Sequence, residues 1–467
     1  MTCRRPYRTD GSLLVDAAVA IAVFAAAVAT IASLDASAAD ALSRADGLRA
    51  AIEGYLSVRD GLSALMPGDS ISRSTQIGSN AVQISASARR YGNDRIEVDA
   101  TSTSPAASVS FVAIRSRYPA PADDAAGASL CAADDEGVAS VVPIILPMDP
   151  RTPLTSLVVR GRHAYVAADS SERSAADMVV LDIDDPSAPR ILAALDTGPG
   201  IRGLAVAGRM IFAAAASSVA QLQAVSYDGS SALTLISTLR LPLPTASSSS
   251  PIGSAVAYSR GYAYLGTERW DGPELSIIDA SDPSDMRVVG SVEIGGKVSA
   301  ISVDDGIAYL ASSGAVQFAA VDVRDPRRPA LIASFGPNGW TRQDGRSATA
   351  FESAAVFGRT TGGFDIRADH ELFAWSGDGA LGPSVDIPGG AYGIVVDRSH
   401  VVVGGRAFDQ EISVYDRSLS SSTASYLPLP VGVASLACDL GTIYALAGTA
   451  PAIYRIRLKP SWPRDIR

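Results

Sequence analysis

The feature that most constrains this chain is a repeat. Val180-Leu181-Asp182-Ile183-Asp184-Asp185-Pro186, Ile277-Ile278-Asp279-Ala280-Ser281-Asp282-Pro283 and Ala320-Val321-Asp322-Val323-Arg324-Asp325-Pro326 are copies of one string: two apolar residues, Asp, two further residues, Asp, Pro. In each unit a bulky apolar residue also recurs, at Tyr165, Phe212, Tyr264, Tyr309, Val356, Val402 and Tyr444, with separations of 47, 52, 45, 47, 46 and 42 residues. Self-similarity at such a period marks units that cannot bury their apolar faces alone and must stack on their neighbours. Most of the bulky positions follow a turn such as Arg160-Gly161, Arg260-Gly261 or Asp305-Gly306. Each unit therefore reads as short strands joined by tight turns.

The repeat resembles that of LVIVD-repeat β-propellers, and the Asp-x-x-Asp-Pro strings are the specific part of the resemblance. Seven columns then imply seven four-stranded blades. Units two, five and seven have lost the Asp-Pro, and unit five, near 347–390, is the weakest copy. The last unit, Val433 to Leu458, has room for only three strands, and the strand-like run Val138 to Leu146 can supply the fourth. Closing a ring with a strand from the other end removes an edge that would otherwise template aggregation. The expected fold is mainly β, with a seven-bladed β-propeller over 138–460. Residues 119–137, rich in Pro, Ala, Gly and Asp, read as a linker. Residues 67–118 read as a small antiparallel β meander, with alternating runs at 81–85, 95–99 and 109–114.

A basic leader with Arg4, Arg5 and Arg8 precedes an apolar run from Ala17 to Leu34. That run is long enough to span a bilayer, and the positive-inside rule leaves the N-terminus in the cytoplasm and exports the remainder. Leu48, Ile52, Tyr55, Leu56, Leu62 and Leu65 continue an apolar stripe of helical spacing. A long transmembrane helix over 12–66, on the order of 80 Å at 1.5 Å per residue, is expected. Asp16 lies within its apolar part, where an unpaired carboxylate is costly. Gly11-Ser12-Leu13-Leu14-Val15-Asp16 resembles the processing site of type IV prepilins and of type II secretion pseudopilins. The resemblance implies a leader peptide over 1–11, cleavage between Gly11 and Ser12, and pairing of Asp16 with the new amine of a neighbouring subunit. The chain departs from the family in having Asp16 for the usual glutamate and Ser12 for the usual phenylalanine. An uncleaved signal anchor and a signal peptide cut after Ala36-Ser37-Ala38 compete with this reading.

The net charge of −10 becomes −12 when a leader with three arginines and one aspartate is removed. That sign argues against nucleic acid, which needs a basic footprint. His163, His370 and His400 are scattered, and Cys3, Cys131 and Cys438 lack metal-ligand spacing. No nucleophile elbow, phosphate-binding glycine loop or paired-His motif is present. Neither a cofactor, a metal nor an enzymatic activity is expected. The Asp-x-x-Asp-Pro strings read as type I turns between strands, since they lack the ligand density of a calcium loop. The column of tyrosines reads as core packing.

In a blade the chain runs alternately down and up. Turns between strands one and two and between three and four share one face, and the remaining connections share the other. The second face carries long insertions at 169–177, 245–250, 267–273 and 336–346. Two of these hold Arg269 with Trp270 and Trp340 with Arg342, and exposed Trp and Arg are typical of binding hot spots. These four are the candidate ligand contacts. The resemblances together imply a pilin-like or pseudopilin-like subunit in the bacterial cell membrane, carrying a propeller as a binding head on a pilus or pseudopilus. Its partners would be a prepilin peptidase, other pilin-like subunits and an unknown protein or glycan ligand. A signal-anchored periplasmic or surface propeller outside any filament is the alternative, and a periplasmic hydrolase or lyase the third.

Cys3 is lost with the leader and the exported compartment is oxidising, so a disulfide between Cys131 and Cys438 is expected. Thiol labelling of unreduced protein should then modify neither cysteine, whereas labelling of both overturns the bridge.

Overall fold

Met178-Val179-Val180-Leu181 is apolar at every position, which a strand tolerates when both of its faces are covered. In the computed structural model the strand Met178–Asp182 is buried at all its positions, and Leu275–Asp279 and Phe318–Asp322 are buried except at their last residue. Arg190–Leu195, the outermost strand of the same blade as Met178–Asp182, is largely exposed. The structure describes residue 50, residues 70–116 without 78–79, 92–94 and 105–107, and residues 140–457 without 150, 170–175, 245–247, 337–343, 361–369, 376–380, 388, 398–399, 420–424 and 440. The leader, nearly all of the 12–66 helix and the 119–137 linker lie outside the described residues. Among those described, no helix is long and apolar enough to cross a membrane. The chain divides into two compact units, Met1–Ala120 and Pro121–Arg467.

The first unit holds an antiparallel meander of four strands in sequence order: β1 (Ser70–Ile77), β2 (Asn80–Tyr91), β3 (Arg95–Thr103) and β4 (Ser108–Ser116). Along β2, Val82, Ile84 and Ala86 are buried and alternate with exposed Ala81, Gln83, Ser85 and Ser87, which is the period of a half-covered sheet. The alternating runs at 81–85, 95–99 and 109–114 fall within β2, β3 and β4. Strand β1 gave no such signal, because its sequence SISRSTQI has only two apolar residues; as an edge strand it needs few.

The second unit contains seven four-stranded antiparallel sheets. Six are continuous in sequence: 154–195, 201–239, 253–292, 298–335, 345–385 and 393–427. The seventh joins 433–457 to β5 (Ser140–Ile145), whose residues pair antiparallel with Ala452–Arg457 as the outermost strand. The first strand of each blade packs on the first strand of the next, and Val433–Asp439 packs on Leu154–Arg160, so the ring closes. Unit five, the weakest copy in sequence, still forms a full blade.

The core is distributed between blades. Tyr165, Val180, Leu204 and Ile211 form one such cluster, Tyr264, Ile277, Leu310 and Val321 another, and Ile144, Leu157, Leu446 and Ile453 fill the closing interface. The recurrent bulky column is buried in every blade, from 0% exposure at Phe212 to 8% at Tyr444. Strand-one hydroxyls add bonds across the interfaces: Thr155 Oγ1 donates to the Ile201 carbonyl at 2.6 Å and Thr349 Oγ1 to that of Ile394 at 2.9 Å. In the first five blades the hairpins between strands one and two are two-residue turns. Arg260-Gly261 and Asp305-Gly306 both have positive φ, the backbone that matches strand twist and favours glycine.

The two isoleucines of β5 separate ring closure from surface effects, since Ile144 is fully buried and Ile145 is 63% exposed. Ile144→Ala should destabilise the fold by about 2–5 kcal/mol, and Ile145→Ala by less than about 0.5 kcal/mol. Chemical denaturation followed by tryptophan fluorescence reads both, and equal effects would show that β5 does not complete the core.

Candidate binding face

The two faces of the ring are built differently. On the face of the short turns, the repeated aspartates hold backbone. Asp185 Oδ1 accepts the Ser187 N–H at 2.9 Å and its hydroxyl at 2.6 Å, and Ala188 N–H donates to the Asp185 carbonyl at 3.1 Å. Asp282 repeats this with Ser284 and Asp285, and Asp325 with the N–H groups of Arg327 and Arg328. The first aspartate of each string, Asp182, Asp279 or Asp322, accepts the N–H two residues on at 3.0–3.1 Å. These are turns with Asp at the first position and Pro at the second. In the second blade Asp228 replaces the string and accepts N–H bonds from Ser230, Ser231 and Ala232; with the Ala232 N–H foremost, they hold its carboxyl down to about 2. Among the described residues no group of three or more His, Cys, Asp or Glu is placed to hold a metal.

The opposite face is organised by a second column that the sequence reading missed. Asp177, Gln221, Glu274, Gln317, Glu371 and Glu411 each precede the third strand of a blade and are all buried, at 0–4% exposure. Five of them accept the backbone N–H two residues beyond the fourth strand: Thr197 at 2.9 Å, Leu241 at 2.8 Å, Ile294 at 2.9 Å, Ile387 at 2.8 Å and Leu429 at 2.9 Å. In the fourth blade the corresponding sequence position is Pro337, which has no N–H, and Gln317 Oε1 instead accepts Arg359 Nη1 at 3.3 Å. A signal for the column was present. In four of the blades an acid or amide stands five residues before the first aspartate of the turn, as in Asp177/Asp182, Glu274/Asp279, Gln317/Asp322 and Glu411/Asp416.

Two of these acids face a second carboxylate just past the fourth strand. Burial raises the Glu293 carboxyl and Glu274 beside it raises it further. Burial pushes Glu371 up to about 7, with the Ile387 N–H opposing and Asp386 reinforcing the shift.

Nearer the axis, the ends of first strands and the following loops form an inner rim. Arg202 donates through Nε to Asp169 Oδ2 at 3.2 Å and through Nη1 to Glu268 Oε1, which also accepts Lys297 Nζ at 3.3 Å. Burial tends to raise Glu268, but Lys297 and Arg202 together hold it below its ordinary value. Across the fifth and sixth blades, the guanidinium carbons of Arg346 and Arg406 lie 5.7 Å and 4.0 Å from the centroid of the Tyr392 ring. Burial lowers the Arg346 guanidinium, and Arg406 lowers it further.

The candidate contacts fare unequally. Arg269 is exposed, but Trp270 is buried at 8%, and its Nε1 donates to the Pro273 carbonyl at 3.1 Å. A Cβ on Gly272 would meet the indole at 2.6 Å. The indole is therefore the core of its own loop and not an exposed anchor, because a large ring gains more by folding over Gly272 than by facing water. Trp340, Arg342, Gly11, Ser12, Asp16 and Cys131 lie outside the described residues. Cys438, near the end of the strand Val433–Asp439, is disulfide-bonded. Among the described residues of this face Phe408 is an exposed aromatic, at 87%.

Residues 155–197 and 253–294, within the first and third blades, match the family described as LVIVD repeat. No curated protein matches the chain by sequence. Among solved structures, catalytically inactive virginiamycin B lyase from Staphylococcus aureus, determined with quinupristin, is 12% identical, with a TM-score of 0.50 over 69% of this chain and 100% of its own. BamB from Moraxella catarrhalis is also 12% identical, with a TM-score of 0.41 over 85% of this chain and 100% of its own. At this identity the likeness to the lyase concerns the fold alone.

Glu371 yields a pH prediction. Its folded-state value near 7 lies above the ordinary 4.5, so between those values the folded protein holds a proton that the unfolded chain has released. Stability should fall as pH rises through that window and level off above it. Glu371→Gln, the residue type already used at Gln221 and Gln317, should flatten that slope. Thermal melts of both proteins at about pH 5 and about pH 8 test this, and an unchanged slope in the variant removes Glu371 as the source.

Proposed function

We propose that this chain is a pilin-like or pseudopilin-like membrane-inserted subunit whose β-propeller serves as a binding head outside the membrane. The observation that carries the reading is the pairing of Gly11-Ser12 and Asp16 with a ring that receives its chain on the short-turn face. Ser140, the first residue of β5, pairs with Arg457 at the short-turn end of its neighbour, and Ile145 pairs with Ala452 at the other end. The long loops thus lie on the face opposite the start of β5, where a binding head would meet a ligand. Phe408, Val219 and Leu243 add exposed apolar side chains to the connections of that face, and loops on a rigid scaffold commonly hold binding sites.

Binding is favoured over catalysis because the repeated carboxylates serve backbone. Partners on this reading are a prepilin peptidase, other pilin-like subunits through Asp16, and a protein or glycan on the long-loop face. The substitutions Asp16 for glutamate and Ser12 for phenylalanine favour the second reading, a signal-anchored propeller that joins no filament.

N-terminal sequencing of the protein from membranes distinguishes these readings. A mature chain beginning at Ser12 is expected, and one beginning at Met1 or Ala39 overturns the pilin-like assignment. Asp16→Ala should be processed and inserted normally but be absent from the assembled fibre; normal incorporation would leave the acid without a pairing role.

A further inference from the structure

Two of the cations on the inner rim of the long-loop face are balanced by acids. Arg202 and Lys297 share Asp169 and Glu268. Arg346 and Arg406 differ. Among the described residues neither has an ion-pair partner, and both lie against the one ring of Tyr392. Asp344 is the acid nearest to Arg346 in influence, and it forms no ion pair with it. Two guanidinium groups that repel each other are thus held together, in a chain of net charge −10 that has acids to spare. Stacking on one phenol orients them but neutralises neither.

The neighbouring loop holds the second half of the arrangement. Arg406 N–H donates to the Gly389 carbonyl at 3.3 Å, and Gln410 N–H closes a turn on the Ala407 carbonyl at 3.2 Å. The left-handed Gly389, where a Cβ would meet the Ala407 nitrogen at 2.1 Å, lets the loops before and after the sixth blade's first hairpin pack this closely. Phe408 sits at the tip of the Ala407–Gln410 turn, followed by Asp409 with φ +62°. The turn displays the phenyl ring at 87% exposure two residues from Arg406. An exposed aromatic in the same loop as an unpaired guanidinium group is the composition of a recognition site.

We propose that Arg346 and Arg406, which lie against Tyr392, and Phe408, two residues along the chain from Arg406, bind a carboxylated sugar of an acidic polysaccharide. Guanidinium groups recognise a carboxylate by paired, charge-assisted hydrogen bonds. A pyranose carries its carboxylate on a ring whose apolar face can lie on Phe408. An aspartate or glutamate side chain offers the carboxylate without that face, and a peptide anchor seeks a pocket, whereas Phe408 projects outward. This proposal rests on the long-loop face being the binding face, and names its ligand class.

The test is calorimetric titration of the full chain in detergent with short oligogalacturonates, neutral galactose oligomers and polyglutamate. Oligogalacturonate should bind, less tightly as salt is raised, and the neutral oligomers should not. Arg346→Gln and Arg406→Gln should each lower affinity by about tenfold or more. Phe408→Ala should lower it several-fold with an unchanged melting temperature, since an exposed ring contributes little to the fold. Affinity unchanged in both Arg406→Gln and Phe408→Ala would overturn the site. Tighter binding of polyglutamate than of oligogalacturonate would replace the sugar by an acidic peptide, and equal binding of the neutral oligomers would remove the role of charge. Absence of cleavage at Gly11 would sink the pilin-like reading and leave these titrations unaffected.

Discussion

Ring closure by β5 is the interaction on which the rest of the structure depends. Seven sheets that each bury apolar residues against two neighbours have no stable open form, since an open ring leaves two uncovered sheets and an unpaired edge. The closing interface is therefore equivalent to the others: Ile144 and Leu146 join Leu157, Val159, Leu446 and Ile453 in one cluster. A second tie lies beside it, where Asp439 Oδ2 accepts the Gly161 N–H at 2.8 Å across the seventh and first blades. Because β5 is outermost in its blade, the chain comes in at the periphery and leaves the axial rim free for side chains such as Arg202 and Arg346.

Two columns of polar residues divide the work of holding each blade. The Asp-Pro turns fasten strand three to strand four on one face, with acids satisfied by local N–H groups. Five members of the buried column, Asp177, Gln221, Glu274, Glu371 and Glu411, fasten the same two strands on the other face, through residues that water does not reach. The chemistry differs because the geometry does. A short turn brings its own N–H groups to an aspartate two residues away, whereas the long-loop face must bridge about twenty residues of chain, as from Asp177 to Thr197. The buried column carries a cost where its members ionise beside another carboxylate, as at Glu371 and Asp386, and two blades avoid it with glutamine. Gln221 and Gln317 also approach the next blade so closely that Gly253 and Gly345 have no space for a Cβ, which would fall 2.5 Å and 2.1 Å from their carbonyls.

Much of this was legible in the residues. The bulky column at Tyr165 through Tyr444, the spare strand near 138–146 and the Asp-Pro strings led to seven blades, because propeller repeats write their core in periodic, local form. The first meander strand was not legible, as Ser70–Ile77 alternates too few apolar residues to register. The burial of Trp270 is not legible for a different reason: a loop composition rich in Asp, Gly and Pro says that the chain turns, not which side chain it folds over. The exposure of Phe408 is not legible either, because a lone phenylalanine gives no sign that a positive φ at Asp409 and a tight turn will lift it into solvent. The buried acids were passed over because an acid next to a strand reads as solvated unless the repeat is aligned position by position.

The same division explains why the long-loop face can change while the ring persists. On the short-turn face, backbone donors and aspartate acceptors meet within a few residues, so a lengthened turn would lose its own cap. On the other face the column, except at Gln317, bonds the chain just beyond strand four, before the connection to the next blade begins. Whatever follows that bond is released from the duty of ordering the blade. The second-to-third-blade connection runs from Leu241 to Gly253, yet Leu222–Tyr227 and Leu233–Leu239 pair over six positions with the one-residue shift also seen in the first, third and fourth blades. A scaffold that fixes its strands upstream of its loops leaves those loops to be shaped by what they bind.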